Sequence, residues 1–132
     1  MATIKSYTDL NQSRKLAEVL PHDTADGTWK RVVIAGINLN VPEEQQYIHD
    51  GGIPFMYYSG IGIPSWSLAA LLDILQKTAY FIDEDANVTL CSYKTVEWNL
   101  GINNSDVEFT TKTNPIDVCY EMILNLHELK ML

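Results

Sequence analysis

The last nineteen residues, Asn114-Pro-Ile-Asp-Val-Cys-Tyr-Glu-Met-Ile-Leu-Asn-Leu-His-Glu-Leu-Lys-Met-Leu132, most restrict what this chain can fold into. Asn114 suits an N-cap, Pro115 fits the first helical turn where its missing N–H is not needed, and Asp117 sits where the helix dipole favours an anion. Ile116, Val118, Cys119, Tyr120, Met122, Ile123, Leu124 and Leu126 leave only a narrow polar stripe at Asp117, Glu121, Asn125 and Glu128. A helix so apolar around its girth must be covered on several sides. The 132 residues are one domain's worth and are expected to form a single α+β domain over residues 1–132.

The remaining elements follow from periodicity and punctuation. A first helix is expected from about Tyr7 to Leu20, capped by Ser6 or Thr8, with Leu10, Leu16, Ala17 and Leu20 on one face and Pro21 ending it. The β-branched run in Trp29 to Leu39 reads as a buried strand, and Phe55–Ser59 as a second. Residues 40–53 look like an excursion with room for one helical turn. A second helix is expected from Ser65 or Ser67 to about Lys77. Val88–Tyr93 alternates as a strand, and residues 95–112 read as a hairpin turning at Asn103-Asn-Ser-Asp106. This order lacks regular βα alternation. It predicts an antiparallel or mixed sheet of about four to five strands with three helices packed mainly on one face.

Charge and composition narrow the function. Seventeen acidic against nine basic residues give a net charge of −8, which repels phosphate backbones, so no nucleic-acid partner is expected. The uncharged stretch Gly51–Leu72 contains Pro54 and Pro64 and changes texture midway, so it reads as strand–turn–helix and no membrane partner is expected. The N-terminus has no apolar core of the signal-peptide type, and cytoplasmic residence is the expectation. Cys91 and Cys119 form neither a disulfide framework nor a zinc spacing, and both read as buried thiols.

Chemistry-bearing patterns are sparse. The three histidines lack metal-site spacing, so no metal or cofactor is expected. Two loops flanking strands hold the one conceivable polar loop site: His22, Asp23 and Asp26 with His49 and Asp50. The competing reading is solvated turn residues. Ser65 and Ser67 stand where an elbow nucleophile would, but Ile63-Pro-Ser-Trp-Ser-Leu68 is not Gly-x-Ser-x-Gly, and helix capping accounts for both hydroxyls. No catalytic residue is assigned. Among the aromatics, Tyr57, Tyr58, Tyr93 and Trp98 are candidates for a recognition surface on an uncovered sheet face, against a reading as core and edge packing.

Three segments carry a resemblance: Lys5-Ser-Tyr-Thr8 leading into Gln12-Ser-Arg-Lys-Leu-Ala-Glu-Val-Leu-Pro21, Ile63-Pro-Ser-Trp-Ser-Leu-Ala-Ala-Leu-Leu72, and Asn114 to Leu129. Together they resemble a group of small uncharacterised proteins encoded by gut anaerobic bacteria, often within prophages or other mobile elements. The likeness covers the three helices and their order, and it brings no activity, cofactor or catalytic residue with it. It implies an accessory protein of a bacterial or phage genome. With the acidic charge and the surplus of aromatics, the expected function is a small, acidic, soluble, non-enzymatic protein-binding module, working through a sheet-side surface or as a homodimer. The alternative is a small ligand-binding domain or enzyme using the His and Asp loop residues.

Overall fold

A computed structural model describes residues 5–31, 47–50, 62–93, 97–108 and 110–132. They belong to two compact units, Asp9–Trp66 and Met1–Thr8 with Ser67–Leu132.

In the first unit, helix α1 spans Leu10–Val19. Asp9, not Ser6 or Thr8, caps it: Asp9 Oδ1 accepts from the Gln12 N–H at 2.8 Å, and Gln12 Oε1 accepts from the Asp9 N–H at 3.1 Å. This reciprocal box satisfies two N–H groups that the helix start leaves orphaned. The helix stops at Leu20, whose extended backbone is what a following proline demands. A short 3-10 turn, His22–Thr24, leads into strand β1 (Gly27–Arg31). Two further strands, β2 (Tyr47–Asp50) and β3 (Gly62–Ser65), flank it in an antiparallel sheet of order β2-β1-β3. The helix packs against β3, and Arg14 lies over the Tyr47 ring at 5.5 Å. Trp66 is fully buried, and its indole N–H donates to Thr24 Oγ1 at 2.9 Å.

In the second unit, helix α2 (Leu68–Ile82) starts at Ser67, whose hydroxyl accepts from the Ala70 N–H. Strands β4 (Val88–Tyr93), β5 (Glu97–Ile102) and β6 (Thr110–Lys112) form a second antiparallel sheet in that order. Helix α3 (Pro115–Glu128) begins as the sequence implies: Asn114 accepts from the Ile116 N–H at 3.0 Å with Pro115 in the first turn. It closes with Lys130 at φ 60°, and the Met131 N–H bonds back to Leu126 C=O, a hydrogen-bonded helix stop of the kind that glycine usually provides. Helix α3 packs on β5 and β6, while α2 packs on α3 and β4. Leu71, Leu75, Ala79, Leu100, Ile116, Val118, Cys119, Met122, Ile123 and Leu126 are fully buried.

The α+β class agrees with the sequence, but the sheet count does not. Instead of one sheet of four to five strands, the described residues form two three-stranded antiparallel sheets. The unexpected strands are β2 and β3, four residues each: β2 lies within the stretch expected as an excursion, and β3 within the stretch that reads as strand–turn–helix, just ahead of α2. Neither shows period-two alternation long enough to read. The strand begun at Trp29 starts earlier, at Gly27; its continuation through residue 39 and the expected strand at 55–59 lie outside the described residues. Helix α2 runs five residues past Lys77 to Ile82. The return strand of the 95–112 hairpin begins late, because Ser105 Oγ binds both the Ile102 carbonyl and the Val107 N–H and prolongs the turn. No helix among the described residues is long and apolar enough to cross a membrane.

Candidate functional site

In the first sheet, Trp29 on the central strand stands opposite His49 on one side and Ile63 on the other, with Gly27 opposite Ser65. Period-two alternation puts Gly27, Trp29, His49, Ile63 and Ser65 on one face. His49 and Ser65 come from strands that are not neighbours, about 9–10 Å apart in backbone terms at ~4.8 Å per strand step. Their side chains nevertheless meet: His49 Nε2 lies 2.7 Å from Ser65 Oγ. Gly27 makes this reach achievable. A Cβ there would overlap Ser65 Oγ and come within 2.9 Å of His49 Nε2. Trp29 packs edge-on to the imidazole with ring centroids 5.1 Å apart, fixing the ring from its own register position.

A serine hydroxyl on an imidazole nitrogen is the pairing that nucleophilic catalysis uses. Here Ser65 is fully buried, so its hydroxyl presents no surface to a substrate. The pair acts as a polar tie between β2 and β3. Ser65 is therefore a strand residue whose side chain bonds to histidine, and Ser67 alone caps α2, which corrects the expectation that capping explains both.

The five residues of the candidate polar loop site are not all in loops. His22 and Asp23 lie in the 3-10 turn, where a His22 ring nitrogen sits 2.8 Å from the Ala17 carbonyl at the end of α1. Asp26 is exposed, and its backbone N–H donates to Ser65 C=O. His49 and Asp50 are residues of β2 paired with Trp29 and Thr28. No group of three or more His, Cys, Asp or Glu among the described residues could hold a metal ion. A cleft of about 400 Å³ beside the end of α3 is lined, among the described residues, by Asp106, Val107, Glu108, Asn125, Glu128 and Leu129, with no basic side chain among them.

Of the candidate recognition aromatics, Tyr57 and Tyr58 lie outside the described residues. Tyr93 ends β4 opposite Glu97, and its side chain lies outside them too. Trp98 is half-buried and shares the alternation of Leu100 and Ile102, the core-facing residues of β5. Cys91, expected to be buried, is exposed, because it alternates out of phase with Leu90 and its core-facing partner Leu100. Cys119 is buried as expected, and desolvation pushes its thiol up from 9.0 to about 12.

Two aromatics that the sequence reading passed over are the most exposed among the described residues. On the outer side of α2, Asp73, Gln76, Lys77, Tyr80 and Phe81 follow i, i+3, i+4, i+7, i+8 spacing and line a shallow groove of about 380 Å³. Phe81 is 85% exposed and Tyr80 59%, with their rings edge-on at 6.2 Å. Asp73 and Lys77 pair at 2.8 Å on the same stripe. The exposed Glu84 and Asp85 and the half-buried Asp83 follow at the end of the helix. The missed signal was phase: with Leu71, Ile74, Leu75, Thr78 and Ala79 on the buried face, a helix carried to Ile82 turns Tyr80 and Phe81 outward. Stopping the helix at Lys77 hid them.

Comparisons with known proteins returned no matching family model, curated protein or solved structure.

Proposed function

We propose that this protein is a non-enzymatic protein-binding module, an accessory protein of a bacterial or phage genome, and that it binds a basic partner protein through the outer stripe of α2. The observation that carries this reading is the Tyr80–Phe81 pair. A phenylalanine 85% exposed on a regular helix contributes little to packing beyond its edge-on contact with Tyr80. Burying one such side chain against a partner is worth about 1.5–3 kcal/mol, and aromatic anchors of this kind dominate binding energies.

The charge around the pair selects the partner. Asp73 stands on the same stripe and Asp83, Glu84 and Asp85 follow it, while Lys77 is the stripe's single cation. With a net charge of −8 over the chain, a basic surface around an apolar recess is the complement. The groove is shallow and has one carboxylate and one amine, already paired with each other, which suits contact and not bond-making.

The test is affinity capture from a nuclease-treated bacterial lysate, comparing the tagged chain with a Tyr80→Ser, Phe81→Ser double variant that retains the parent melting temperature. A basic protein held in stoichiometric amount by the parent, released by salt and lost in the variant, is the expected result. Equal retention by both chains, or no retained protein, would overturn the reading.

A further inference from the structure

We propose that the group the α2 stripe takes from its partner protein is an arginine side chain, its guanidinium stacked on the Tyr80–Phe81 rings and held by the carboxylates that follow the helix. This rests on the reading of the stripe as a docking surface for a basic protein and narrows that reading to one chemical group.

The end of α2 lacks the charge that a helix end favours. A helix carries partial negative charge at its C-terminus, which basic side chains in the last turn offset. The last turn of α2 has no basic residue, and Asp83, Glu84 and Asp85 follow it directly. One oxygen of Asp83 is used within the chain, accepting from the Asp85 N–H at 2.9 Å. The exposed side chains of Glu84 and Asp85 have no hydrogen-bond or ion-pair partner among the described residues. Carboxylates gathered at the negative end of a helix work against the free chain. A cation brought by a partner relieves the helix end and the carboxylates together.

The nearest cation of the chain itself does not fill this role. Lys77 stands three residues before Tyr80 and four before Phe81, the spacings at which side chains on a helix can meet. Its ammonium turns instead to Asp73, with Nζ 2.8 Å from Oδ2. The two rings meet edge-on at 72° and do not stack on each other, and Phe81 is 85% exposed, so ring face is left open. An open ring face is the negative side of an aromatic quadrupole and attracts a cation.

Rings beside carboxylates select guanidinium over ammonium. A guanidinium is planar and weakly hydrated, so it can lie on a ring while the N–H groups along its edge bind a carboxylate. An ammonium is compact and strongly hydrated, and it gives up more water to reach the same ring. Asp83 and Glu84 follow Tyr80 by three and four residues, and Glu84 and Asp85 follow Phe81 by the same steps. Charge also excludes a second copy of this chain as the favoured partner, because it would bring a net −8 to an acidic helix end.

The test uses the full chain and two fluorescein-labelled peptides, one of four Leu-Arg repeats and one of four Leu-Lys repeats, matched in charge and apolar content. Fluorescence anisotropy is expected to show the arginine peptide binding about two- to fivefold tighter, the difference one exposed cation–ring contact makes. A Tyr80→Leu, Phe81→Leu variant keeps apolar side chains on the stripe but removes both rings, and it is expected to bring the arginine peptide down to the level of the lysine peptide. Glu84→Gln with Asp85→Asn should weaken the arginine peptide and flatten its salt dependence. Equal affinities for the two peptides, both lost in the Tyr80→Ser, Phe81→Ser variant, overturn the arginine assignment and leave the docking surface standing. Affinities untouched by that variant overturn both. An arginine preference that survives the double leucine variant, or binding of neither peptide, also overturns the proposal.

Discussion

Around β1 the buried strand residues, among those described, are Gly27, Thr28, Pro64 and Ser65, with His49 reaching over Gly27 to bind Ser65. Around β5 the buried strand residues are Leu100, Gly101 and Ile102, with Thr110 of β6, set against Ile116, Val118, Cys119, Met122, Ile123 and Leu126 of α3. Both sheets have three antiparallel strands, yet they are held by different kinds of contact. Apolar packing is non-directional and spreads over many atoms, so it depends on side-chain volume and pattern. A buried polar tie depends on two atoms being in place and costs heavily when one partner is removed. The second unit leans on pattern throughout, whereas the first adds to its buried Leu10, Leu16, Leu20 and Trp66 a sheet face that depends on particular positions.

The largest effect that would probe this contrast is in the second unit. Met122→Ala removes a fully buried side chain in the middle of α3 and should destabilise the protein by about 2–5 kcal/mol, read from urea unfolding. A loss well under 1 kcal/mol would mean that α3 tolerates a void, and the idea of a volume-dependent core would fail for this unit.

The same contrast explains what could be read in advance. The cap and proline of α3, its apolar girth, the alternation of Val88–Tyr93 and the position of β5 are pattern features, and all are found where the sequence puts them. Asp9 was missed as the cap of α1 because Ser6 and Thr8 are equally good capping types, and only the reach of Gln12 decides between them. In the first unit, β2 and β3 are too short to show a period, and the tie over Gly27 joins residues 16 and 38 positions apart. No local rule connects Gly27, His49 and Ser65. The candidate surface on α2 was hidden by a smaller error, ending the helix five residues early.

A change of one methyl group would test the first unit. Gly27→Ala places a Cβ against Ser65 Oγ and the His49 ring and should cost about 1–3 kcal/mol, as overpacked sites do. The informative measurement is the same substitution in a His49→Ala, Ser65→Ala background. With both crowding side chains cut back, the extra methyl should cost much less, and the strong non-additivity would locate the conflict in those two residues. Additive losses would instead place the cost in the backbone of β1 and remove the tie as the reason for the glycine.

The smallest effect separates burial from polarity as the source of the contrast. In the second unit Lys5 Nζ lies 2.7 Å from Asp117 Oδ1, as short as the His49–Ser65 contact, but these side chains are 34% and 28% exposed. Water and salt screen such a pair, and Asp117 already sits in the first turn of α3, where the helix dipole favours a carboxylate without help. Lys5→Met should therefore cost less than about 1 kcal/mol and shrink further in high salt. Ser65→Ala, which removes a fully buried hydroxyl from its contact with His49, should cost about 1–3 kcal/mol with little salt dependence. Two bonds of equal length would then differ in worth because one has a fully buried partner, Ser65, and the other joins two partly exposed side chains. If Lys5→Met proved as damaging as Ser65→Ala, that ordering would be wrong, and the residues ahead of α1 would have to count among the elements that hold α3.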